Sequence, residues 1–312
     1  MEGIIVMNKI IRYWNQNREK IIIIIAIIAF FFIILKLING LLKNSNYSNK
    51  NINTNKTVDV TKPNKSEITG QELTEKVTET NTDLIKEFVT YCNYGEIQKA
   101  YDLLSSDCKV EYENDISKFQ NNYFNKVFDK AKTYKLDLIG SISGAYTYKI
   151  TYYKENLLAT GGNTSNNIED YITIINENNE NKINISSFIR KENINKTQSN
   201  DDIEIIVNSK RVYRSYEIYN LTIKNKTKNI ISISDGINNS DIYLMDKKST
   251  KYTAFINEIP TYNLSLKNEQ QANIEIKFNK IYDIYRDIKK ICFDNIKIKE
   301  KDNQVVKITV KL

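Results

Sequence analysis

The stretch YKLDLIGSISGAYTYKITY, residues 134–152, has apolar side chains at every second position in two runs. Such alternation is typical of a β-strand that buries one face. The residues between the two runs, 140–144, include two glycines and predict the turn of an antiparallel pair. The second run places four large side chains on one face of its strand: Tyr146, Tyr148, Ile150 and Tyr152.

Helical periodicity precedes this strand pair. Apolar residues recur at helical spacing over residues 84–92, and Asn93, Tyr94 and Gly95 end that pattern. A second apolar face spans residues 97–104, and Asn114 or Asp115 can cap a third helix over residues 116–128. After residue 152 we expect strands at residues 171–175 and 183–189, joined through a polar hairpin loop at residues 176–181.

Two short segments carry a resemblance to a known fold. The run YCNYGE at residues 91–96, followed by AYDLL at residues 100–104, resembles the helix pair of nuclear transport factor 2-like domains. The resemblance covers residues 82–192 and implies a cone-shaped α+β domain, which we place at residues 82–195. That superfamily includes enzymes, ligand-binding proteins and scaffolds, so the resemblance implies a fold and leaves the function open.

The amino-acid composition does not favour an enzyme. The chain contains no histidine, the commonest general base and metal ligand. We therefore expect a protein that is not an enzyme, and we predict no catalytic, cofactor-binding or metal-binding residue. The one candidate site is a ligand pocket lined by Tyr146, Tyr148 and Tyr152, and the alternative is that these aromatic side chains form ordinary core. Asp137 alternates with two leucines and is expected to face water.

Residues 201–312 are predicted to be all-β. Short alternating segments separated by turn-like breaks predict a sandwich, and they lie at residues 204–208, 213–224, 230–234, 241–245, 252–257, 262–266, 272–278, 291–299 and 305–312. We interpret residues 225–229 as a hairpin turn with ordinary loop lysines. The run YEIYNLTIKN at residues 216–225, with residues 264–266 and 274–278, resembles immunoglobulin-like domains of Firmicutes surface proteins.

The N-terminal part of the chain predicts a membrane anchor. Residues 21–35 are uninterrupted apolar residues that follow four basic residues, and with Lys36 at its margin the apolar stretch extends to residue 42, about the length that a bilayer core requires. The exit lacks a small-x-small cleavage site, so we expect a retained anchor at 21–42, with residues 1–20 cytoplasmic. The polar residues 43–81 predict a flexible linker. The expected location is the cell membrane, single-pass, with the bulk of the chain extracytoplasmic.

The charge and the cysteines bear on two kinds of site, for nucleic acid and for metal ions. The net charge of +7 is spread along the chain without a dense basic segment, so we expect no nucleic-acid partner. The three cysteines form no CxxC or metal-like cluster. Cys92 and Cys292 are expected to be buried small apolar residues. A disulfide between Cys92 and Cys108 is an alternative that their spacing leaves undecided.

Together these patterns predict an α+β protein with four parts: a single transmembrane helix, a flexible linker, a cone-shaped nuclear transport factor 2-like domain and an immunoglobulin-like sandwich. Anchored proteins with an extracytoplasmic cone domain resemble the assembly subunits of conjugative type IV secretion systems, including Gram-positive ones. The resemblance implies a non-catalytic subunit of a conjugation or secretion apparatus, with protein partners in the envelope or self-association as a homo-oligomer. The alternative is a surface-tethered protein whose cone domain binds a small ligand or cell-wall fragment.

Overall fold

A computed structural model describes residues 63–142, 144–153, 167–283, 285–299 and 305–312. Helices come first and strands follow, in the order that the sequence predicts. The helical elements are α1 (Glu75–Asn93), α2 (Ile97–Asp102), α3 (Ser106–Val110), α4 (Ile116–Phe119), a π-helical turn (Gln120–Phe124) and α5 (Asn125–Val127). The Asp115 carboxylate accepts a hydrogen bond from the Ser117 backbone N–H, which confirms the predicted cap of the third helical segment. Helix α3 was not predicted.

The first sheet contains four antiparallel strands in sequence order. They are β1 (Thr133–Ile142), β2 (Ala145–Tyr153), β3 (Ile168–Glu177) and β4 (Glu180–Asn184). The predicted hairpin between β3 and β4 is confirmed, and its turn residues Asn178 and Asn179 have φ values of +53° and +67°. Asparagine adopts this left-handed conformation more readily than most residues, and a two-residue hairpin turn requires it.

The remaining strands form two further sheets. They are β5 (Phe188–Ser199), β6 (Ile203–Tyr213), β7 (Glu217–Asn225), β8 (Ile231–Ser232), β9 (Ile242–Asp246), β10 (Lys251–Thr253), β11 (Ser265–Leu266), β12 (Gln271–Phe278), β13 (Ile288–Ile298) and β14 (Val305–Lys311). The second sheet has the order β10-β9-β13-β8-β11, with β14 also paired to β13. The third sheet has the order β12-β7-β6-β5. Strands dominate the described residues, so the chain is β-rich.

Two large hydrophobic cores hold these layers together, and a small third cluster is formed by Ile189, Val212 and Tyr282. The first lies between the helices and one face of the first sheet, and it includes Phe88, Phe119 and Ile172. The second lies between the second and third sheets, and it includes Leu221, Phe278 and Phe293. Two sheets that share one core in this way form a sandwich.

Strand β5 differs from the sequence prediction. Residues 183–189 were expected to form one strand, but the chain turns at Ser186 and Ser187, which have φ values of +56° and +60°. The carboxylate of Asp170 accepts hydrogen bonds from the backbone N–H groups of both serines. Beyond this turn β5 pairs with β6 in the third sheet rather than with the first sheet.

The interpretation of residues 225–229 as a hairpin turn is wrong, because the flanking strands β7 and β8 lie in different sheets. The segment is a crossover from the third sheet to the second. The Asn225 side chain is buried and donates hydrogen bonds to the carbonyl oxygens of Asn229, Leu266 and Lys267. These bonds satisfy carbonyl groups in the crossover and at the end of β11.

The residues that composition assigns to the end of the linker contact the folded part of the chain. Ser66 Oγ donates a hydrogen bond to the Ile139 carbonyl oxygen at 2.7 Å, and Gln71 Oε1 accepts one from the Ser141 N–H at 2.6 Å. These bonds cover part of the free edge of β1, and Asn81 of helix α1 is fully buried. Composition alone misses this ordering because the partner groups lie about 70 residues further along the chain.

The predicted anchor at residues 21–42, the cytoplasmic segment and the linker up to residue 62 lie outside the described residues. Among the described residues, none of the helices has the length and apolar character to cross a membrane. The division of the remaining chain at residues 195–201 stays a prediction, as do the cone shape and the immunoglobulin-like topology. All described residues belong to one compact unit, Val58–Leu312.

All three cysteines are buried free thiols, so Cys92 and Cys108 are not bridged. Burial raises the pKa of the Cys108 thiol to about 12 and also raises that of Cys92. Because burial keeps a reagent from all three sulfur atoms, we expect the cysteines in the folded protein to resist a colorimetric thiol reagent and to react in denaturant. An added thiol at an exposed position, Tyr94→Cys, is the matched control and should react at once. Rapid labelling of any native cysteine in the folded protein would contradict this burial.

Candidate functional site

The predicted tyrosine face lies inside the first core. Tyr148 and Tyr152 are fully buried, and Tyr146 is half-buried against the same core. The Tyr148 hydroxyl accepts a hydrogen bond from Asn81 Nδ2 at 3.1 Å, and the Tyr152 hydroxyl lies 3.2 Å from that of Tyr123. Burial raises the pKa of Tyr148 to about 12. Tyr148 and Tyr152 pack as core side chains with bonded hydroxyls, and a ligand pocket at the three tyrosines stays a prediction.

Asp137 lies where alternation predicts, on the outer face of β1. Its side chain is 41% exposed and pairs with Lys135, with 2.8 Å between Lys135 Nζ and Asp137 Oδ1. A water-facing carboxylate with a lysine partner is an ordinary surface group. Asp137 therefore takes no part in the sites described below.

A cleft of about 570 Å³ lies elsewhere, among residues that sequence reasoning did not bring together. Five parts of the chain line it: the segment before α1, strand β1, the turn between β6 and β7, strand β10 and the loop after β12. The lining residues are Ile68, Thr69, Ile139, Arg214, Tyr252, Asn279, Ile281, Tyr282, Asp283, Tyr285 and Arg286. The volume lies within the range of about 300–1,000 Å³ that is typical of small-molecule sites.

Large apolar side chains of this cleft are exposed to solvent. Ile68 is 69% exposed, Ile281 is 59% exposed and Tyr285 is 74% exposed. Single exposed apolar residues are normal on a protein surface, but several around one concavity are typical of a binding surface. We call Ile68, Ile281 and Tyr285 the apolar rim.

Arg214 supplies positive charge to the wall of the cleft. Its guanidinium donates a hydrogen bond from Nη1 to the Tyr282 carbonyl oxygen at 3.2 Å, and it lies 5.2 Å from the centre of the Tyr171 ring. The Nε atom is buried and has no hydrogen-bond acceptor among the described residues. Within the described part of the chain, the ion pairs include none that joins Arg214 to a carboxylate, so the protein leaves its charge uncompensated there.

Polar contacts tie the loop after β12 to its neighbours. The Tyr285 hydroxyl donates to the Thr69 carbonyl oxygen at 3.3 Å, which links this loop to the segment before α1. Arg286 Nη1 donates to the Tyr252 hydroxyl at 3.3 Å, and Arg286 Nε lies 3.4 Å from Asp283 Oδ2. Arg286 and Asp283 therefore compensate each other's charge.

A buried ion pair fixes the chain next to the cleft. Lys280 is 2% exposed and Glu217 is 3% exposed, and Lys280 Nζ lies 3.4 Å from Glu217 Oε1. The Tyr219 hydroxyl donates to Glu217 Oε2 at 2.9 Å, and Lys280 Nζ also donates to the Ile281 carbonyl oxygen at 3.3 Å. The residues on either side of Lys280 line the cleft, so this pair holds one wall of it in place.

A smaller concavity of about 180 Å³ lies between helix α3 and the third sheet. Arg211 Nη1 lies 3.2 Å from Glu111 Oε1 and its Nη2 lies 2.7 Å from Glu275 Oε2, while the Tyr213 hydroxyl also donates to Glu111. These groups satisfy one another. We interpret the network as a structural contact between the helical layer and the sandwich.

Sequence reasoning missed the cleft, but one signal for it exists. Residues 281–286, IYDIYR, are rich in apolar and aromatic side chains and lie between predicted strands rather than in one.

Among the described residues, no group of three or more Cys, Asp or Glu side chains is arranged to hold a metal ion. Comparison of the chain with protein families, with curated proteins and with solved structures gives no match.

Proposed function

We propose that this chain is a membrane-anchored, non-catalytic interaction subunit whose extracytoplasmic part binds a protein partner, within a conjugation or secretion apparatus. The sequence pattern of residues 21–42 supports the anchor. The resemblance of residues 82–192 to nuclear transport factor 2-like domains supports the choice of apparatus. The anchor pattern and the resemblance are both properties of the sequence.

The observation that carries the proposal is the cleft with its apolar rim. Ile68, Ile281 and Tyr285 together present apolar surface to water around a concavity of about 570 Å³. Removing apolar surface from water contributes about 25 cal/mol per Å², so a partner that covers these side chains gains binding free energy. Aromatic residues are also enriched in protein interfaces.

The same geometry guides the choice between the two functions that the sequence leaves open. Binding of a small ligand at the tyrosine face requires space beside Tyr148 and Tyr152, but both side chains are fully buried and their hydroxyls have partners. We therefore place the binding function at the cleft. The alternative, a small ligand bound by the cone domain, has less support than partner binding at the cleft.

The test is site-specific photocrosslinking in native membranes. A photoreactive phenylalanine replaces Tyr285 in the full-length protein, and in a matched variant it replaces Tyr262, which is 76% exposed and does not line the cleft. We expect crosslinks to one or a few envelope proteins from position 285 and not from position 262, because apolar contact at the cleft excludes water and brings the partner close. Mass spectrometry then identifies the partners as subunits of a conjugation or secretion apparatus.

A second readout uses simple truncation. Tyr285→Ser is expected to reduce recovery of the same partners in a crosslinked pull-down about ten-fold or more, whereas Tyr262→Ser leaves recovery unchanged. Equal crosslinking from both positions, or crosslinks from position 285 to this chain alone, would contradict a partner-binding cleft. An exterior reporter fused after Leu312 that stays silent would contradict the extracytoplasmic location.

A further inference from the structure

We propose that the cleft binds an extended segment of the partner protein in which a carboxylate side chain is flanked by apolar side chains, and that the carboxylate pairs with Arg214. This inference rests on the proposed function and names the chemistry of the partner. It depends on three properties of the cleft: its size, its charge and its apolar rim.

The size of the cleft favours a short segment. A volume of about 570 Å³ matches sites that hold a small molecule or a few residues, and it is too small for a folded domain. A segment of a partner protein enters such a cleft as an extended chain, with its side chains against the walls.

The charge of the cleft favours a carboxylate. Its charged lining residues are Arg214, Asp283 and Arg286, and the last two lie 3.4 Å apart and compensate each other. Arg214 remains as one positive charge without a carboxylate among the described residues. A guanidinium group matches the planar geometry of a carboxylate and can donate two parallel hydrogen bonds to it.

The position of Arg214 is fixed before any partner binds. Its bond to the Tyr282 carbonyl oxygen and its contact with the Tyr171 ring restrict the side chain to one orientation. A side chain that is already ordered loses less conformational entropy on binding than a free surface arginine. Partial burial also strengthens a charge pair, because water screens it less.

The apolar rim distinguishes a peptide from a bare anion. Inorganic phosphate would use Arg214 and leave Ile68, Ile281 and Tyr285 exposed to water. In a segment with apolar side chains beside a carboxylate, the apolar side chains cover the rim while the carboxylate pairs with Arg214. The complementary sequence is therefore an Asp or Glu flanked by Ile, Leu, Val or aromatic residues.

The experiment selects peptides from a phage-displayed library of random nonapeptides on the full-length protein in detergent micelles. Fluorescence polarisation then measures the selected peptides against the wild type, Arg214→Gln, Arg214→Lys, Tyr285→Ser and the control Tyr262→Ser. We expect the selected peptides to share a carboxylate between apolar residues. Arg214→Gln should weaken their binding about ten- to a hundred-fold, because a hydrogen bond to a charged group is lost. Arg214→Lys should retain more affinity than Arg214→Gln.

A substitution in the peptide tests the same ion pair with Arg214 without changing the protein. Replacing its Glu by Gln should weaken binding to the wild type by a similar factor and have little further effect on Arg214→Gln. Inorganic phosphate at millimolar concentration should compete poorly. Circular dichroism shows whether each variant is folded, and the peptide substitution stays decisive if Arg214→Gln is not.

Two outcomes would overturn the inference. Selected peptides that lack a carboxylate, or that bind Arg214→Gln as tightly as the wild type, would show that the arginine does not set specificity. Such peptides would still leave the proposed function intact if Tyr285→Ser abolishes their binding. Peptides whose binding is unaffected by both Tyr285→Ser and Arg214→Gln would place recognition outside the cleft, whereas failure of the proposed function itself would appear as absent crosslinks from position 285.

Discussion

Lys280→Met is expected to destabilise the protein by about 3–5 kcal/mol, because it leaves the carboxylate of Glu217 buried without its cation. Both side chains are almost completely buried, so water cannot replace the lost partner. The Tyr219 hydroxyl remains as a neutral donor to Glu217 Oε2, and it compensates a small part of the charge. Urea unfolding of the full-length protein, followed by circular dichroism, measures the change in the free energy of unfolding.

The matched controls separate the buried charge from the loss of a lysine. Lys65 pairs with Glu72 at 2.7 Å on the surface, with both side chains more than half exposed, and Lys65→Met should leave stability unchanged within error. The double variant Glu217→Gln with Lys280→Met should recover part of the loss, since no uncompensated charge is then buried. A single Lys280→Met variant as stable as the wild type would show that the pair does not hold this region.

The same variant should also affect recognition at the cleft. Residues 279, 281 and 282 line the cleft on either side of Lys280, and Lys280 Nζ donates to the Ile281 carbonyl oxygen. Loss of these contacts is expected to disorder the wall that carries Ile281 and Tyr282. Partner crosslinking from position 285 in Lys280→Met should therefore fall even at temperatures where the variant is folded.

Asp170→Ala is expected to have the second largest effect, a loss of about 3 kcal/mol or more. The Asp170 carboxylate accepts hydrogen bonds from the backbone N–H groups of Tyr171, Ser186 and Ser187 at 2.7, 3.0 and 2.8 Å. The carboxylate is buried and the three donors are partly buried, and a donor that loses its acceptor away from water costs about 1–3 kcal/mol. Ser186 and Ser187 also have positive φ angles, which these bonds help to maintain.

The control for this prediction is Asp137→Ala. Asp137 lies in strand β1, is 41% exposed and accepts a hydrogen bond from a lysine side chain rather than from backbone N–H groups. Its removal should change the free energy of unfolding little. Equal stability of the Asp170→Ala and Asp137→Ala variants would show that the turn between β4 and β5 does not depend on the buried carboxylate.

Asp170 also explains how the chain passes from one sheet to another. Burial raises the pKa of its carboxyl group, while the surrounding N–H donors act in the opposite direction. The turn that it holds ends β4 in the first sheet and starts β5 in the third. A single buried side chain thus directs the connection between the two cores.

Much of the local structure follows from the sequence. Alternation predicted strands β1 to β3 and most strands of the sandwich, because a strand with one buried face imposes a period of two on its side chains. Asn114 or Asp115 predicted a helix start, where the structure has Asp115 as the cap, and the polar loop at residues 176–181 predicted the β3–β4 hairpin. These features depend on neighbours a few residues away, which a sequence displays directly.

The tyrosine face illustrates where sequence reasoning stops. Alternation correctly placed Tyr148 and Tyr152 on the inner face of β2, but it cannot tell a filled core from an open pocket. That difference depends on Asn81 and Tyr123, whose side chains contact the two hydroxyls from the helical layer. Complementary packing between distant elements decides it.

Local periodicity and composition account for the order of helices and strands, the high strand content and the pattern that predicts an anchor, because each depends on residues close together in the chain. Long-range packing places β5 and β8 in their sheets, Lys280 beside Glu217 away from water, and Ile68 at one cleft with Arg214 and Tyr285. These contacts join residues that are far apart in the chain. Their partners are fixed by how whole layers pack together, which no local pattern records.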